Sequence, residues 1–266
     1  MEAAARLTPV SPTARLDAEL LMAHALGVSR QDLLLKHLDD AEPEGFAALV
    51  ERRLSHEPVA YITGTRAFWT IELAVGPGVL VPRADSETLL EVAVAHFGAR
   101  APARILDLGT GPGTLLLAAL DQWPGATGIG IDASEAALGY ARRNAEALGM
   151  AERAEFRLGD WAVGLDARFD LILANPPYIG TAEPLPREVR DHEPGEALFA
   201  GADGLDDYRR IVPELERLLA RGGVAVIEIG STQAEPVSSL VRKHGLSPTL
   251  TPDLTGLPRV VSALES

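Results

Sequence analysis

At 266 residues the chain is long enough for one large domain plus a small one, with a core that needs no covalent staple. It has no cysteine, which excludes disulfides, thiolate metal sites and a cysteine nucleophile. The formal net charge is -14, from Lys+Arg 24 against Asp+Glu 38, with Lys36 and Lys243 the sole lysines; no basic stretch is available to neutralise phosphates, so small-molecule or basic protein partners are expected and direct DNA binding is not.

In chain order, the opening MEAAARLTPV lacks a charged start followed by an apolar core. No later apolar run approaches the ~20 residues that span a bilayer, so a soluble, cytoplasmic chain without membrane contact is expected. The first ~55 residues predict helices. SPTARLDAELLMAHAL puts Leu16, Leu20, Ala23 and Leu26 on one stripe; Ser29 opens SRQDLLLKHL with Asp32 three residues on, like a capping box; Phe46, Leu49, Val50 and Leu54 make a third stripe. These helices are too short to bury a core alone.

From 59 to 82 the period changes. Tyr61, Ile62, Phe68, Trp69, Ile71, Leu73, Val75 and Val79, Leu80, Val81 read as strands, with GPG at 76–78 as the turn, so a hairpin linker is predicted. SETLLEVAVAHF returns to helix. From Arg104 strands and helices alternate through RILDL, TLLLAALDQW, ATGIGID, SEAALGYARRNAEAL, AEFRLGD, FDLILA, LDDYRRIVPELERLLA and VAVIEIG. That alternation predicts an α/β fold, a mostly parallel sheet with helices on both faces. Six histidines, at 24, 37, 56, 96, 192 and 244, have no metal-ligand spacing, and no metal site is expected.

The first strand of the series runs into DLGTGPGT at 107–114. Gly109, Gly111 and Gly113 allow a sharp turn and close approach of a ligand to the main chain. Thr114 stands where a dinucleotide fingerprint has glycine, which lowers an NAD reading without eliminating it. Asp132 ends the second strand about 20 residues on, placed to accept both hydroxyls of a ribose. Asp160 ends the third unit, and Trp161 offers a flat face and an indole donor beside an adenine. Asp107 can neutralise an ammonium or orient the loop, and it would repel a phosphate. A nucleoside with an amino acid and a sulfonium, S-adenosylmethionine, therefore fits better than a dinucleotide.

FDLILA ends at Asn175, followed by Pro176, Pro177 and Tyr178. An asparagine oxygen and the Pro176 carbonyl are two acceptors for the two N–H donors of a planar NH2 group; the paired prolines restrict the loop, and Tyr178 offers a face for stacking. An amide nitrogen is a poor nucleophile because its lone pair is delocalised. Holding both hydrogens aims the nitrogen and stabilises the positive charge that develops.

The chain resembles the class I methyltransferases with an NPPY motif, and more closely the HemK/PrmC family of peptide-chain release-factor glutamine methyltransferases. The likeness lies in EPVAYITG (57–64), LVPRADSETLLE (80–91), DLGTGPG (107–113), NPPYI (175–179), EV at 188, EP at 193, ALFAGADGLDDYRRI (197–211), EIG at 228 and DLTGLPRVV (253–261). The resemblance implies a helical N-terminal domain (1–58) suited to release-factor recognition, a hairpin linker (59–82) and a Rossmann-like catalytic domain (83–266) with seven strands, one of the last antiparallel. It implies cofactor contacts from Gly109, Thr110, Gly111, Pro112, Gly113, Asp132, Trp161 and Asn175, beside Asp107 and Asp160. Asn175, Pro176, Pro177 and Tyr178 would contact the glutamine of a Gly-Gly-Gln loop, methylated on its side-chain nitrogen, with Arg83 and Glu87 bordering the site. A monomer is expected. Pro112 stands where many relatives have a small residue and removes a backbone donor, leaving its carbonyl or packing for any contact.

The connection from Gly180 to Leu205 is long and holds Glu183, Glu188, Asp191, Glu193 and Glu196, an acidic rim that could receive arginines of a partner. Three alternatives stay open on the residues themselves: an adenine-N6 or guanine-N2 nucleic-acid methyltransferase, a non-catalytic protein that only binds S-adenosylmethionine, and an NAD-dependent dehydrogenase.

Overall fold

A computed structural model describes residues 2–38 and 40–265. The chain divides into two compact units, one formed by Met1–Thr65, Val75–Pro77 and Leu185–Glu193 and the other by Arg66–Ala74, Gly78–Pro184 and Pro194–Ser266.

The first unit is helical: α1 (Glu2–Leu7), α2 (Ala14–Leu26), α3 (Arg30–Lys36), α4 (Phe46–Leu54) and α5 (Val59–Thr63). Leu7, Leu21, Phe46, Val50 and Ile62 form its core. Ser29 caps α3 by accepting from the Asp32 N–H and donating to its carboxylate, as the spacing predicts. Two expectations change. On α2 the buried face carries Asp17 and Leu21, while Leu16 is exposed. Arg53 makes this possible: buried on α4, it pairs with Asp17 at 2.7 Å and with Glu188 at 2.8 Å, so a carboxylate sits where apolar spacing alone would not place one. Tyr61 and Ile62, expected in a strand, lie in α5, which Pro58 opens and left-handed Gly64 closes. An apolar run this short has no period of its own, and docking of Ile62 into the helical core decides its conformation.

The hairpin is correspondingly shorter, β1 (Thr65–Phe68) and β2 (Ile71–Ala74), and it turns at Trp69 rather than at GPG. Trp69 has φ 54, and its N–H donates to the Glu87 carboxylate at 2.9 Å. Val79, Leu80 and Val81 belong to no strand; Val79 and Val81 are buried.

The second unit continues with α6 (Glu87–Phe97), β3 (Arg104–Leu108), α7 (Thr114–Gln122), β4 (Thr127–Asp132), α8 (Glu135–Ala147), β5 (Ala154–Leu158) and β6 (Phe169–Ala174). After α9 (Arg187–His192), which belongs to the first unit, come α10 (Asp206–Leu218), β7 (Leu219–Glu228), α11 (Ala234–Lys243), β8 (Leu246–Pro252) and β9 (Pro258–Glu265). The seven strands are ordered β5-β4-β3-β6-β7-β9-β8, parallel except for β9, which runs antiparallel to both β7 and β8. β3 and β6 are apolar runs buried on both faces, as central parallel strands must be. Asp170 accepts from the N–H groups of Ala103 and Arg104 at the entry to β3. The chain leaves β3 toward β4 and later returns to its other side as β6, so the loops after β3, β4 and β6 open together at the carboxyl edge. Among the described residues no helix is long and apolar enough to cross a membrane.

Candidate active site

At that edge lies a cavity of about 370 Å³. The turn after β3 supplies one wall. Gly109 and Thr110 both donate to the Ile131 carbonyl at 2.9 Å, folding the loop over the end of β4. Gly109 has φ 73, and a Cβ there would lie 3.1 Å from the Trp161 ring. Glycine thus serves both the turn and the close approach of the indole.

Asp107 organises the start of α7. Its Oδ2 accepts from the Thr110 hydroxyl at 2.6 Å and from the Leu116 N–H at 3.1 Å, a first-turn donor that Gly113, as N-cap, has no side chain to satisfy. Its Oδ1 is buried and has no partner among the described residues. Burial pushes this carboxyl up to about 7, against the Thr110 and Leu116 hydrogen bonds. Asp132 accepts from the Gly111 N–H at 2.8 Å on Oδ2 and from the Ser134 N–H at 2.9 Å on Oδ1. Burial raises its pKa, and these donors oppose the shift. The carboxylate lines the cavity and keeps acceptor capacity beyond these bonds.

Of the residues predicted for the site, Asp107, Gly109, Thr110, Gly111, Pro112, Asp132, Asp160, Trp161, Asn175, Pro177 and Arg83 line the cavity. Gly113, Pro176, Tyr178 and Glu87 do not. Gly113 is the N-cap of α7, and a Cβ there would meet Leu117 at 2.8 Å, so its role is helix packing. Glu87 holds the hairpin turn. Pro176 is buried, and Tyr178 packs against the core with its carbonyl accepting from Gln233 Nε2 at 2.9 Å. Burial, with the nearby Glu228 carboxyl, pushes the Tyr178 phenol up to about 12.

Three details are decided by the partners each group finds. The Pro112 carbonyl accepts from Asn144 Nδ2 at 2.8 Å, which leaves packing as that residue's contribution to the cavity. The Trp161 indole donates to Asp207 Oδ1 at 3.1 Å, so the ring offers its face and not its donor; Asp160 pairs with Arg210. The acidic rim is largely engaged within the fold. Glu188 pairs with Arg53, Asp191 with Arg187 and Arg190, Glu193 is buried, and Glu183 accepts from the Gly180 N–H. Glu196 lines the cavity.

Asn175 carries the most specific geometry. Its Nδ2 donates to Ser86 Oγ at 3.1 Å, and its Oδ1 accepts no hydrogen bond among the described residues. Ser86 in turn donates to buried Glu228 at 2.6 Å. Neither Ser86 nor Glu228 was singled out from the sequence. Their segments, PRADSE and EIG, lie in stretches that carry the family likeness.

Comparison with known proteins shows the family. The family model described as PrmC N-terminal domain matches residues 1–64, and one described as methyltransferase domain matches residues 100–246. A protein of Rhodospirillum rubrum named release factor glutamine methyltransferase is 44% identical over 255 residues, covering 94% of this chain and 78% of that one. The chain belongs to the release factor glutamine methyltransferase family. A second member, from Bradyrhizobium diazoefficiens, is 43% identical over 260 residues, covering 94% and 88% of the two chains. Among solved structures, the 16S rRNA N2 G1207 methyltransferase of Thermus thermophilus, in complex with AdoMet and guanosine, superposes with a TM-score of 0.55 at 21% identity, over 76% of this chain and 50% of that chain. At that identity the likeness is one of fold.

The family uses S-adenosylmethionine, and the lining fits it. The cavity is of nucleoside-ligand size, Asp132 keeps acceptor capacity for a diol, and the unpartnered, buried Oδ1 of Asp107 is an acceptor awaiting a cation or donor.

Proposed function

We propose that the chain methylates the side-chain amide nitrogen of the glutamine in the Gly-Gly-Gln loop of peptide-chain release factors. The observation that carries this reading is Asn175: an amide with its nitrogen tethered and its oxygen unspent, at the edge of the cofactor cavity. The names of the relatives supply the substrate. When bound, S-adenosylmethionine supplies a methyl carbon made electrophilic by its sulfonium.

The chain's own residues do the rest. Asp132 would accept the ribose hydroxyls, the glycine turn would give close backbone approach, and Trp161 would offer its face to the base. Asn175 Oδ1 accepts one hydrogen of the substrate NH2. The Pro176 carbonyl, which accepts no hydrogen bond among the described residues, takes the other. Two fixed acceptors would turn the nitrogen lone pair toward the methyl carbon and stabilise positive charge on nitrogen; the products would be the methylated amide, S-adenosylhomocysteine and a proton lost to solvent after transfer. Tyr178 stiffens the loop from the core side. Pro177, Arg83 and the neighbouring Glu87 border the substrate entry.

The same reading assigns residues 1–58 to release-factor recognition, 59–82 to a linker and 83–266 to catalysis, in a monomer that works in the cytoplasm. Incubation with a purified release factor and labelled cofactor, followed by mass spectrometry, should place one methyl group on the Gly-Gly-Gln glutamine. Label on nucleic acid with the protein unmodified would overturn the choice of substrate.

Asp132→Asn is expected to raise the cofactor Kd about 50-fold, because the new NH2 must face the N–H of either Gly111 or Ser134 and leaves a part-buried donor unmet. Isothermal titration measures this, and an unchanged Kd would remove Asp132 from the pocket assignment.

A further inference from the structure

The two ends of an asparagine amide are nearly equal in shape and opposite in chemistry, one accepting and the other donating. Catalysis as read above works only if the oxygen faces the substrate. Nothing in Asn175 itself enforces that.

The enforcing groups come from two other elements. Asn175 follows β6 directly, and the register pairs Ala174 with Ile227 on β7, so Glu228 at the end of β7 lies alongside. Ser86 comes from the single helical turn Ala84–Ser86 that leads into α6. Ser86 is 2% exposed and Glu228 1% exposed, so water does not compete for their bonds. A hydroxyl has one hydrogen. While Glu228 Oε2 takes that hydrogen at 2.6 Å, Ser86 can only accept from Asn175, which must then give it the nitrogen.

We propose that Ser86 and Glu228 are positioning residues that set the orientation of the Asn175 amide and thereby its capacity to accept from the substrate NH2. The inference rests on the function proposed above and identifies which further residues make that site competent.

The direction of the chain depends on the charge of Glu228. The groups that act on this carboxyl are Ser86, Arg83 and Asp85 before α6, Arg259 on β9, and the phenols of Tyr178 after β6 and Tyr208 on α10. Burial pushes its pKa up to about 7, with Asp85 adding to the rise and Ser86, Arg259 and Arg83 opposing it. Tyr208 donates to the Glu228 backbone carbonyl at 2.9 Å and keeps the residue in place. Protonated Glu228 becomes a donor to Ser86. The serine hydrogen then turns to Asn175, the amide reverses, and a donor faces the substrate's donor. Turnover should fall as Glu228 gains its proton.

The test measures kcat at saturating cofactor and release factor across pH, because titration of Asp107 acts on cofactor binding and is read in the cofactor KM instead. For the unaltered chain kcat should decline on the acid side of about pH 7. Ser86→Ala should lower the high-pH kcat about tenfold, flatten that decline and leave the cofactor Kd unchanged. Ser86→Thr, which keeps the hydroxyl, should restore both the rate and the profile. Glu228→Gln should flatten the profile as well, and in the Ser86→Ala background it should add nothing, because its influence passes through Ser86. An unaltered kcat and pH profile in Ser86→Ala, or additive losses in the double variant, would overturn the proposal while methylation by the unaltered chain upheld the function. If the unaltered chain methylates no release factor, the function reading fails and takes this inference with it.

Discussion

Asn175→Ala lowers kcat for release-factor methylation by about 1000-fold while the cofactor Kd stays within about threefold, the loss expected when one preorganised group that meets developing charge is removed. The Pro176 carbonyl still accepts one hydrogen of the substrate NH2, but a nitrogen held at one hydrogen swings freely and no longer presents its lone pair to the methyl carbon. Cofactor affinity survives because the Asp132 and glycine-loop contacts are untouched. Single-turnover transfer of labelled methyl and calorimetric titration separate the two quantities. Asn175→Asp falls between: it keeps an acceptor for the substrate but turns an oxygen toward Ser86 Oγ, whose hydrogen is already given to Glu228. Unchanged single-turnover rates in Asn175→Ala would remove the acceptor role and the mechanism built on it.

Gly204→Ala destabilises the chain by about 4 kcal/mol, combining a left-handed backbone with a backbone clash. Gly204 has φ 71, and a Cβ would lie 2.2 Å from the Tyr178 carbonyl oxygen and 2.7 Å from Gln233 Nε2. These groups form one knot. Gln233 Nε2 donates to the Tyr178 carbonyl at 2.9 Å and to the Gly204 carbonyl at 3.1 Å, tying the NPPY loop to the entry of α10 and the N-cap of α11. The clash cannot be relieved by rotating a side chain, because the carbonyl it meets is main chain. Gly222 has a similar φ of 75 with nothing within 4 Å of the added Cβ. Gly222→Ala should cost about 1 kcal/mol from backbone conformation alone. The difference between the two denaturation midpoints isolates the clash, and equal midpoints would show that the loop yields.

The parts of this protein legible in its sequence are those governed by near neighbours. RILDL and FDLILA are continuous apolar runs that only a strand buried on both faces can use, and Ser29 with Asp32 closes its own cap. The glycine turn, Asp132 and Asn175 could be placed at one edge because alternating parallel strands deliver their carboxyl ends to the same side. Short apolar segments were harder. Tyr61 and Ile62 took the helix offered by Pro58, Gly64 and the first unit's core, and Leu16 yielded the buried face of α2 to Asp17.

By itself, then, the sequence determined the α/β order, the nucleoside turn and the presence of an amide between that turn and two prolines. The tertiary structure alone decided which partners each polar group would have: Ser86 between Asn175 and Glu228, Asp207 on the Trp161 indole, Arg53 on Asp17, Asn144 on the Pro112 carbonyl. The reason is physical. A strand or a cap is set by forces acting within a few residues, whereas a buried donor selects its acceptor from whatever the packed chain brings within about 3 Å, and distance along the sequence carries no weight in that selection.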